Sequence, residues 1–193
     1  MTRVGRVERA SRETQLTCQI RLDAGGELDV ATGLGFLDHM VEQVARYACF
    51  DLRLRGAGDL HVDEHHLIED AGIVLGQTLA QALGDRAGIA RFAHAYAPLD
   101  EALSRVVIDL GKRPFLSYNV PLSGPIGGLD SETLEEWWRA FTVHAGATLH
   151  LDLIRGRNRH HVAESGFKAL GLALRQATAL TGSGIPSSKG LLG

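Results

Sequence analysis

Hydrophobic residues recur with two different periods along this chain, and together they predict a mixed structure of strands and helices. In residues 14–22 every second side chain is apolar, which is typical of a half-buried strand. Shorter alternating segments predict strands at residues 27–31 and 50–55. Apolar residues at helical spacing predict helices over residues 36–48 and from residue 65 to about residue 83.

The second part of the chain repeats this order of elements. Alternation predicts strands at residues 103–110, 114–120 and 148–154. Helical spacing predicts helices from residue 131 through residue 141 and from residue 160 to about residue 180. Each part therefore reads strand, strand, helix, strand, helix, which indicates an internal duplication.

The duplication divides the chain into halves of about 1–88 and 89–193. Aligning the strand at 50–55 with the strand that begins at Ala147 places Glu136 opposite His39, because each lies equally far before its strand. We predict a single α/β domain of two pseudo-symmetric halves, with one potential ligand on the first helix of each half.

Composition excludes several other classes of protein. The 193 residues can bury a sizeable core, and 45% hydrophobic with 22% charged residues is ordinary for a globular protein. A net charge of −3 gives no reason to expect a nucleic-acid partner. Two cysteines form no disulfide framework, and no apolar run suggests a signal sequence or a membrane span. We therefore expect a cytoplasmic protein with no membrane partner.

One motif of the form His-His-x-x-Glu occurs twice, at residues 65–69 and again at residues 160–164. On a helix, residues three and four apart share a face, so an imidazole and the glutamate carboxylate of each motif lie close together. Adjacent histidines diverge by about 100° around a helix, so one pair cannot easily serve a single ion. The repeated motif therefore predicts two metal ions.

Each half contributes one candidate ligand from its first helix and three from its second. The full set is His39, His65, His66, Glu69, Glu136, His160, His161 and Glu164. One consistent division gives the first ion His65, Glu69 and Glu136. The second ion then takes His160, Glu164 and His39, and each ion adds a crossing histidine from the other motif. Which adjacent histidine crosses is left open. Nitrogen and carboxylate donors without thiolates fit Mn, Fe, Co or Zn, and open positions on a six-coordinate ion favour Mn(II).

Simpler interpretations compete with each of these assignments. A single His-His pair is most often a surface feature or a hydrogen-bonded core pair, but two copies in equivalent places favour metal binding. Asp100 and Glu101 form either a general acid/base pair or a turn at a strand edge. Residues 182–190 are equally typical of a flexible tail and of a phosphate site. Four other histidines are expected to be exposed or to have their hydrogen bonds satisfied within the protein, without a role in metal binding: His61, His94, His144 and His150.

In this order, the motifs resemble those of the imidazoleglycerol-phosphate dehydratase family over essentially the whole chain. The resemblance rests on residues 36–40 (FLDHM), 61–66 (HVDEHH), 98–102 (PLDEA), 158–161 (NRHH) and 186–190 (PSSKG), among others. The chain departs from the family at Gly35, where the family usually has proline, and at Glu136, where several members have histidine.

The resemblance implies a fold and an assembly. Each half would be a two-layer α/β sandwich, with a four-stranded sheet and two helices like the second domain of ribosomal protein S5. The family also implies two Mn(II) ions per subunit and a homo-oligomer of 24 subunits built from trimers. Its active sites are lined by more than one subunit.

The resemblance also implies a reaction, the dehydration of imidazole glycerol phosphate to imidazole acetol phosphate in histidine biosynthesis. Two ions on the ring nitrogens would stabilise an imidazolate, whose electrons expel the adjacent hydroxyl. Glu13 would then act as general base, and Gln43 would orient the substrate. The phosphate would be bound by Arg91, Arg113, Ser187 and Lys189. The competing hypotheses are a dimetal phosphate-ester hydrolase and a metal-buffering shell without chemistry.

Overall fold

The computed structural model describes residues 3–192, and the first half of the chain forms one four-stranded sheet with two helices. Its elements are β1 (Val4–Ala10), β2 (Thr14–Arg21), β3 (Leu28–Ala31), α1 (Gly35–Ala48), β4 (Asp51–Gly58) and α2 (His65–Leu83). The second half forms a second such sheet. Its elements are β5 (Phe92–Leu99), β6 (Ala102–Asp109), β7 (Phe115–Asn119), β8 (Pro125–Ile126), β9 (Leu129–Asp130), α3 (Glu132–Ala145), β10 (Thr148–Arg155) and α4 (Arg159–Ala177).

The two sheets have the same topology. Their strand orders are β1-β2-β4-β3 and β5-β6-β10-β7, and in each sheet only the last pair is parallel. The hairpin β8-β9 is an addition found in the second half. The predicted duplicated α/β fold is confirmed, including the four strands per sheet that the resemblance implied.

Reading the periodicity alone missed one strand in each half, β1 and β5. Both are edge strands with mostly exposed side chains, so neither carries a clear apolar face. Leu60 and Val62 lie in the turn between β4 and α2. The segment between β7 and α3 contains the two short strands β8 and β9.

The structure reproduces the alignment of the halves at its helices. Helices α1 and α3 each span 14 residues, and each ends at a left-handed residue, Cys49 or Gly146. His39 and Glu136 are both the fifth residue of their helix. The first-helix ligand candidates of the two halves are therefore equivalent by position.

Helices from different halves pack against one another between the two sheets, α2 with α3 and α1 with α4. The α2–α3 contact depends on glycine: a Cβ at Gly72 would lie 2.7 Å from the carbonyl oxygen of Trp137. At Gly76 it would lie 2.6 Å from the carbonyl oxygen of Phe141. The α1–α4 contact has a glycine of its own, because a Cβ at Gly171 would lie 2.6 Å from the carbonyl oxygen of Val44. Residues of both halves therefore reach a common site.

The outer faces of the two sheets differ in chemistry. The first carries ion pairs such as Arg53 with Asp29, whose atoms lie 2.9 Å apart. The second exposes the aromatic side chains of Phe92, Tyr96 and Phe115. Among residues 3–192, no helix combines the length and the apolar character needed to span a bilayer.

Candidate metal and substrate site

Three of the predicted ligands meet where α1 of the first half approaches α4 of the second. One ligand atom from each of His39, His160 and Glu164 lies within 4.8 Å of the others. The Nε2 atoms of His160 and His39 are 3.0 Å and 3.4 Å from Oε2 of Glu164. Two imidazoles and a carboxylate converging in this way form a donor set suited to Mn, Fe, Co or Zn.

Local interactions hold these side chains in place. Asn158 caps α4 by accepting a hydrogen bond from the backbone N–H of His160 at 2.9 Å. The edge of the Phe36 ring packs on His160 with ring centroids 5.3 Å apart. Nε2 of Gln43 lies 3.2 Å from Nδ1 of His39, which leaves Nε2 of that histidine directed at Glu164. Gln43, predicted to orient substrate, thus also orients a candidate ligand.

Glu164 is the buried member of this cluster, with 7% of its surface exposed. Burial alone would raise its pKa, but hydrogen bonds from Lys168 and His160 outweigh burial and lower the pKa below its usual value. Nζ of Lys168 lies 2.8 Å from Oε1 of Glu164. The carboxylate is therefore ionised at neutral pH, as a metal ligand must be. Sequence reasoning missed Lys168, although its spacing of four residues from Glu164 on a helix was a usable signal.

The equivalent residues of the other half are arranged more loosely. Nε2 of His65 lies 4.0 Å from Oε2 of Glu69 on the same helix. His65 and Glu136 line one surface cavity of about 580 Å³, together with Asp63, Glu64 and Asp130 among other residues. Within the described part of the chain, His39, His160 and Glu164 form the only group of three ligand candidates whose ligand atoms all lie within 4.8 Å of one another.

The second histidine of each motif lies outside both clusters. Nδ1 of His66 is 3.1 Å from Oδ2 of Asp59, and Nδ1 of His161 is 2.8 Å from Oε2 of Glu101. These hydrogen bonds raise the pKa of both histidines. The hydrogen bond from His161, with those from the backbone N–H groups of residues 158 and 157, lowers the pKa of Glu101 to about 2. Among residues 3–192, neither second histidine joins the group formed by His39, His160 and Glu164.

Glu13, the predicted general base, lies in the turn between β1 and β2. Its Oε2 atom is 3.9 Å from Nδ1 of His66. Ser11 holds the turn together, because its Oγ accepts hydrogen bonds from the backbone N–H groups of Glu13 at 3.1 Å and Thr14 at 3.0 Å. The Thr14 hydroxyl donates to the buried carboxylate of Asp70 on α2, which fixes this turn against the helix that carries His66.

The predicted phosphate ligands lie partly together. Arg91 donates from Nε and Nη2 to the Asp109 carboxylate at 2.6 Å and 3.0 Å, and from Nη1 to the Pro186 carbonyl at 2.8 Å. The C-terminal segment is thus tied back to Arg91, and it carries Ser187, whose Oγ accepts from the Lys189 backbone N–H at 3.2 Å. Arg113 lies exposed in a different segment, between β6 and β7.

Comparisons with known proteins identify a family of similar sequences. The family model described as "Imidazoleglycerol-phosphate dehydratase" matches residues 32–174. The chain is 50% identical to the imidazoleglycerol-phosphate dehydratase of Zymomonas mobilis, covering all of both chains. It is 52% identical to that of Paraburkholderia phytofirmans, covering 98% of this chain and all of the relative.

Solved structures of similar chains have the same fold. The imidazoleglycerol-phosphate dehydratase structure from Staphylococcus aureus superposes with a TM-score of 0.83 at 38% identity, covering 92% of this chain and 99% of that one. The structure from Pyrococcus furiosus superposes with a TM-score of 0.84 at 34% identity, covering 96% of this chain and all of that one. The resemblance read from the motifs is confirmed.

Proposed function

Because the chain belongs to the imidazoleglycerol-phosphate dehydratase family, we propose that it dehydrates imidazole glycerol phosphate to imidazole acetol phosphate at a centre of two Mn(II) ions. Family membership makes it a hydro-lyase of histidine biosynthesis. The observation that carries the rest of the proposal is the convergence of His39, His160 and Glu164 from two halves of one chain.

The donor chemistry of the residues fits two such ions. One would be held by His39, His160 and Glu164, and the other by His65, Glu69 and Glu136 at the equivalent place in the duplicated fold. When bound, the ions supply Lewis acidity to the two nitrogens of the substrate's imidazole ring. Lys168 keeps the Glu164 carboxylate ionised, and Gln43 keeps Nε2 of His39 directed at the site.

In this proposal Glu13 removes the proton from carbon. Loss of water breaks the bond between a hydroxyl group and the carbon next to the ring, and a proton must leave the following carbon. The enol that results then tautomerises to the ketone. The Glu13 side chain is 55% exposed, and its Oε2 atom lies 3.9 Å from Nδ1 of His66. In the proposed oligomer, where a neighbouring copy completes the ligands around His66, Glu13 can therefore reach a substrate bound beside that histidine.

The phosphate group is held by cations and by the C-terminal segment. Arg91, Arg113 and Lys189 supply charge, and charge-assisted hydrogen bonds are roughly twice as strong as neutral ones. Arg91 already fixes the position of Pro186, so binding of phosphate at Ser187 and Lys189 involves a segment that is anchored at its start.

We also propose that the protein forms a homo-oligomer, a 24-mer built from trimers. This assembly is supported by His66 and His161, which lie outside the two ligand clusters of their own chain and can therefore bind an ion held by a neighbouring copy. Phe92, Tyr96 and Phe115 are also exposed on the strands at the two edges of the second sheet, where contacts with a neighbouring copy would cover them.

The proposal is tested by incubating the protein with Mn(II) and the phosphorylated imidazole triol. Formation of the ketone is the expected result, and it disappears in a Glu164→Gln variant while an exposed control, Glu8→Gln, retains it. Release of inorganic phosphate would instead identify the dimetal hydrolase. Binding of Mn(II) without any turnover would identify a metal-buffering protein.

A further inference from the structure

The duplicated fold places a glutamate at the same point of each half. Glu13 directly precedes β2 (Thr14–Arg21), and Glu101 directly precedes β6 (Ala102–Asp109). These strands have equal length and occupy the same position in their sheets. Each glutamate also lies beside Nδ1 of the second histidine of its half. The two carboxylates are therefore structural equivalents.

Their contacts nevertheless differ. The Glu101 carboxylate lies 2.8 Å from Nδ1 of His161 and accepts hydrogen bonds from the backbone N–H groups of Arg157 at 3.1 Å and Asn158 at 2.7 Å. The Glu13 carboxylate is 3.9 Å from the equivalent histidine nitrogen and accepts no hydrogen bond from residues 3–192. One glutamate is thus fully engaged in holding its histidine and a turn, whereas the other is available.

Asp59 accounts for this difference. It follows β4, and its two carboxylate oxygens lie 3.1 Å and 3.3 Å from Nδ1 of His66, where Glu101 binds in the other half. Its side chain is 16% exposed, and its backbone N–H donates to the carbonyl of Glu13 at 3.0 Å. Asp59 therefore takes the hydrogen bond of His66 Nδ1 that the glutamate takes in the other half.

The second half has no equivalent of Asp59. The turn after β10 consists of Gly156, Arg157 and Asn158, which contain no carboxylate. A side chain could not be added at the first of these positions without movement, because a Cβ there would lie 2.6 Å from Cγ2 of Val162. Glu101 must therefore anchor its own histidine.

We propose that Asp59 is a positioning residue that anchors His66 and thereby leaves Glu13 free to take the substrate proton. Carboxylates that hydrogen-bond the far nitrogen of a metal-binding histidine fix its tautomer and its orientation. In the first half the aspartate, not the glutamate, holds the histidine, so the glutamate is available to accept the substrate proton. The inference rests on the proposed role of Glu13 as general base.

The first test is structural and needs no bound metal. In a crystal structure of the metal-free Asp59→Ala protein, the Glu13 carboxylate moves from 3.9 Å to hydrogen-bond distance of Nδ1 of His66, as Glu101 binds His161. An unchanged Glu13 position would overturn the inference. If the alanine variant does not fold, Asp59→Ser, whose hydroxyl is too short to reach the histidine, replaces it.

The second test separates proton transfer from metal binding. We expect Asp59→Ala to lower kcat at least about tenfold, because a general base contributes about 10²- to 10⁴-fold, with KM and Mn(II) content little changed. Asp59→Asn keeps an acceptor oxygen for His66 and restores most of kcat. Loss of Mn(II) from Asp59→Ala, measured by mass spectrometry, would show that the aspartate serves only the metal site and would overturn the inference.

A double variant distinguishes failure of the inference from failure of the proposed function. If Asp59 acts through Glu13, then Asp59→Ala combined with Glu13→Gln loses no more activity than Glu13→Gln alone. Additive losses contradict the inference. Full activity in Glu13→Gln alone would instead refute the proposed general base itself.

Discussion

At the scale of single residues, the two adjacent histidines of each His-His-x-x-Glu motif lie in different environments. The rings of His65 and His66 are nearly perpendicular, at 88°, with centroids 6.1 Å apart, and those of His160 and His161 are almost the same, at 87° and 6.2 Å. The two side chains of each pair also leave the helix in different directions, because successive residues are about 100° apart around its axis. The first histidine of each pair faces its own glutamate, and the second faces a carboxylate from a turn.

The prediction at this scale concerns Lys189. In the proposed site its ammonium group contacts only the phosphate, so Lys189→Ala removes binding energy without disturbing the metal ligands. We expect KM to rise at least about tenfold, since a charge-assisted hydrogen bond contributes about 1.5–3 kcal/mol, while Mn(II) content stays constant. Steady-state kinetics and metal analysis measure the two quantities. An exposed cation on α4, Arg175→Ala, is the control, and an unchanged KM for Lys189→Ala would refute the role.

At the scale of elements, side-chain hydrogen bonds tie turns to the strands and helices that carry the site. Gly35 begins α1, and the turn before it is held by Thr32, whose backbone N–H and hydroxyl donate to Asp38 at 2.9 Å and 2.6 Å. These two hydrogen bonds fix the start of the helix that carries His39. Asp70 fixes the turn of Glu13 to α2 in a similar way.

The prediction at this scale concerns the pH dependence of stability that Asp51 contributes. The Asp51 carboxylate fixes the turn before β3. Burial would raise its pKa, but hydrogen bonds from the backbone N–H of Glu27, from Arg21 and from the backbone N–H of Gly26 lower the pKa below its usual value. A carboxyl group with a lowered pKa stabilises the fold above its unfolded pKa, about 3.9, and this stabilisation is lost as the pH falls through the lower folded value.

Asp51→Asn should therefore be less stable than the unmodified chain at pH 7, and the difference in unfolding free energy should shrink as the pH falls below about 4. Urea unfolding at several pH values measures both. An exposed aspartate, Asp85→Asn, serves as the control. A difference that does not change with pH would show that the Asp51 charge contributes nothing.

At the scale of the whole molecule, the two halves depend on each other for a site. His39 comes from the first half and His160 with Glu164 from the second, and the close glycine contacts between α2 and α3 fix the relative positions of the halves. Because metal binding contributes folding free energy, the proposed ions would stabilise the contact between halves. In the proposed oligomer they also link neighbouring chains.

The prediction for the whole molecule is that chelation both destabilises and dissociates it. Incubation with EDTA should lower the thermal melting temperature and reduce the particle mass measured by light scattering. Added Mn(II) should reverse both changes, whereas added Ca²⁺, which prefers oxygen ligands, should not. A particle mass that stays constant after complete removal of metal would exclude metal-linked assembly.

The sequence by itself determined the duplication, the boundaries of the four helices to within a few residues and most of the strands. Helix and strand periods are local properties, so they are visible without tertiary information. The His-His-x-x-Glu motifs and the alignment of Glu136 with His39 were equally visible. The equivalence of Glu13 and Glu101 was also present in the sequence, but it required the register of β2 and β6 to be recognised.

Only the tertiary structure decided which candidates meet. Edge strands β1 and β5 carry no strong apolar face, so their existence depends on pairing with β2 and β6. The partners of Nδ1 in His66 and His161 come from turns distant in sequence, at Asp59 and Glu101. Such contacts depend on how sheets and helices pack, and no local pattern encodes them. The same packing engages one glutamate and leaves the equivalent one free.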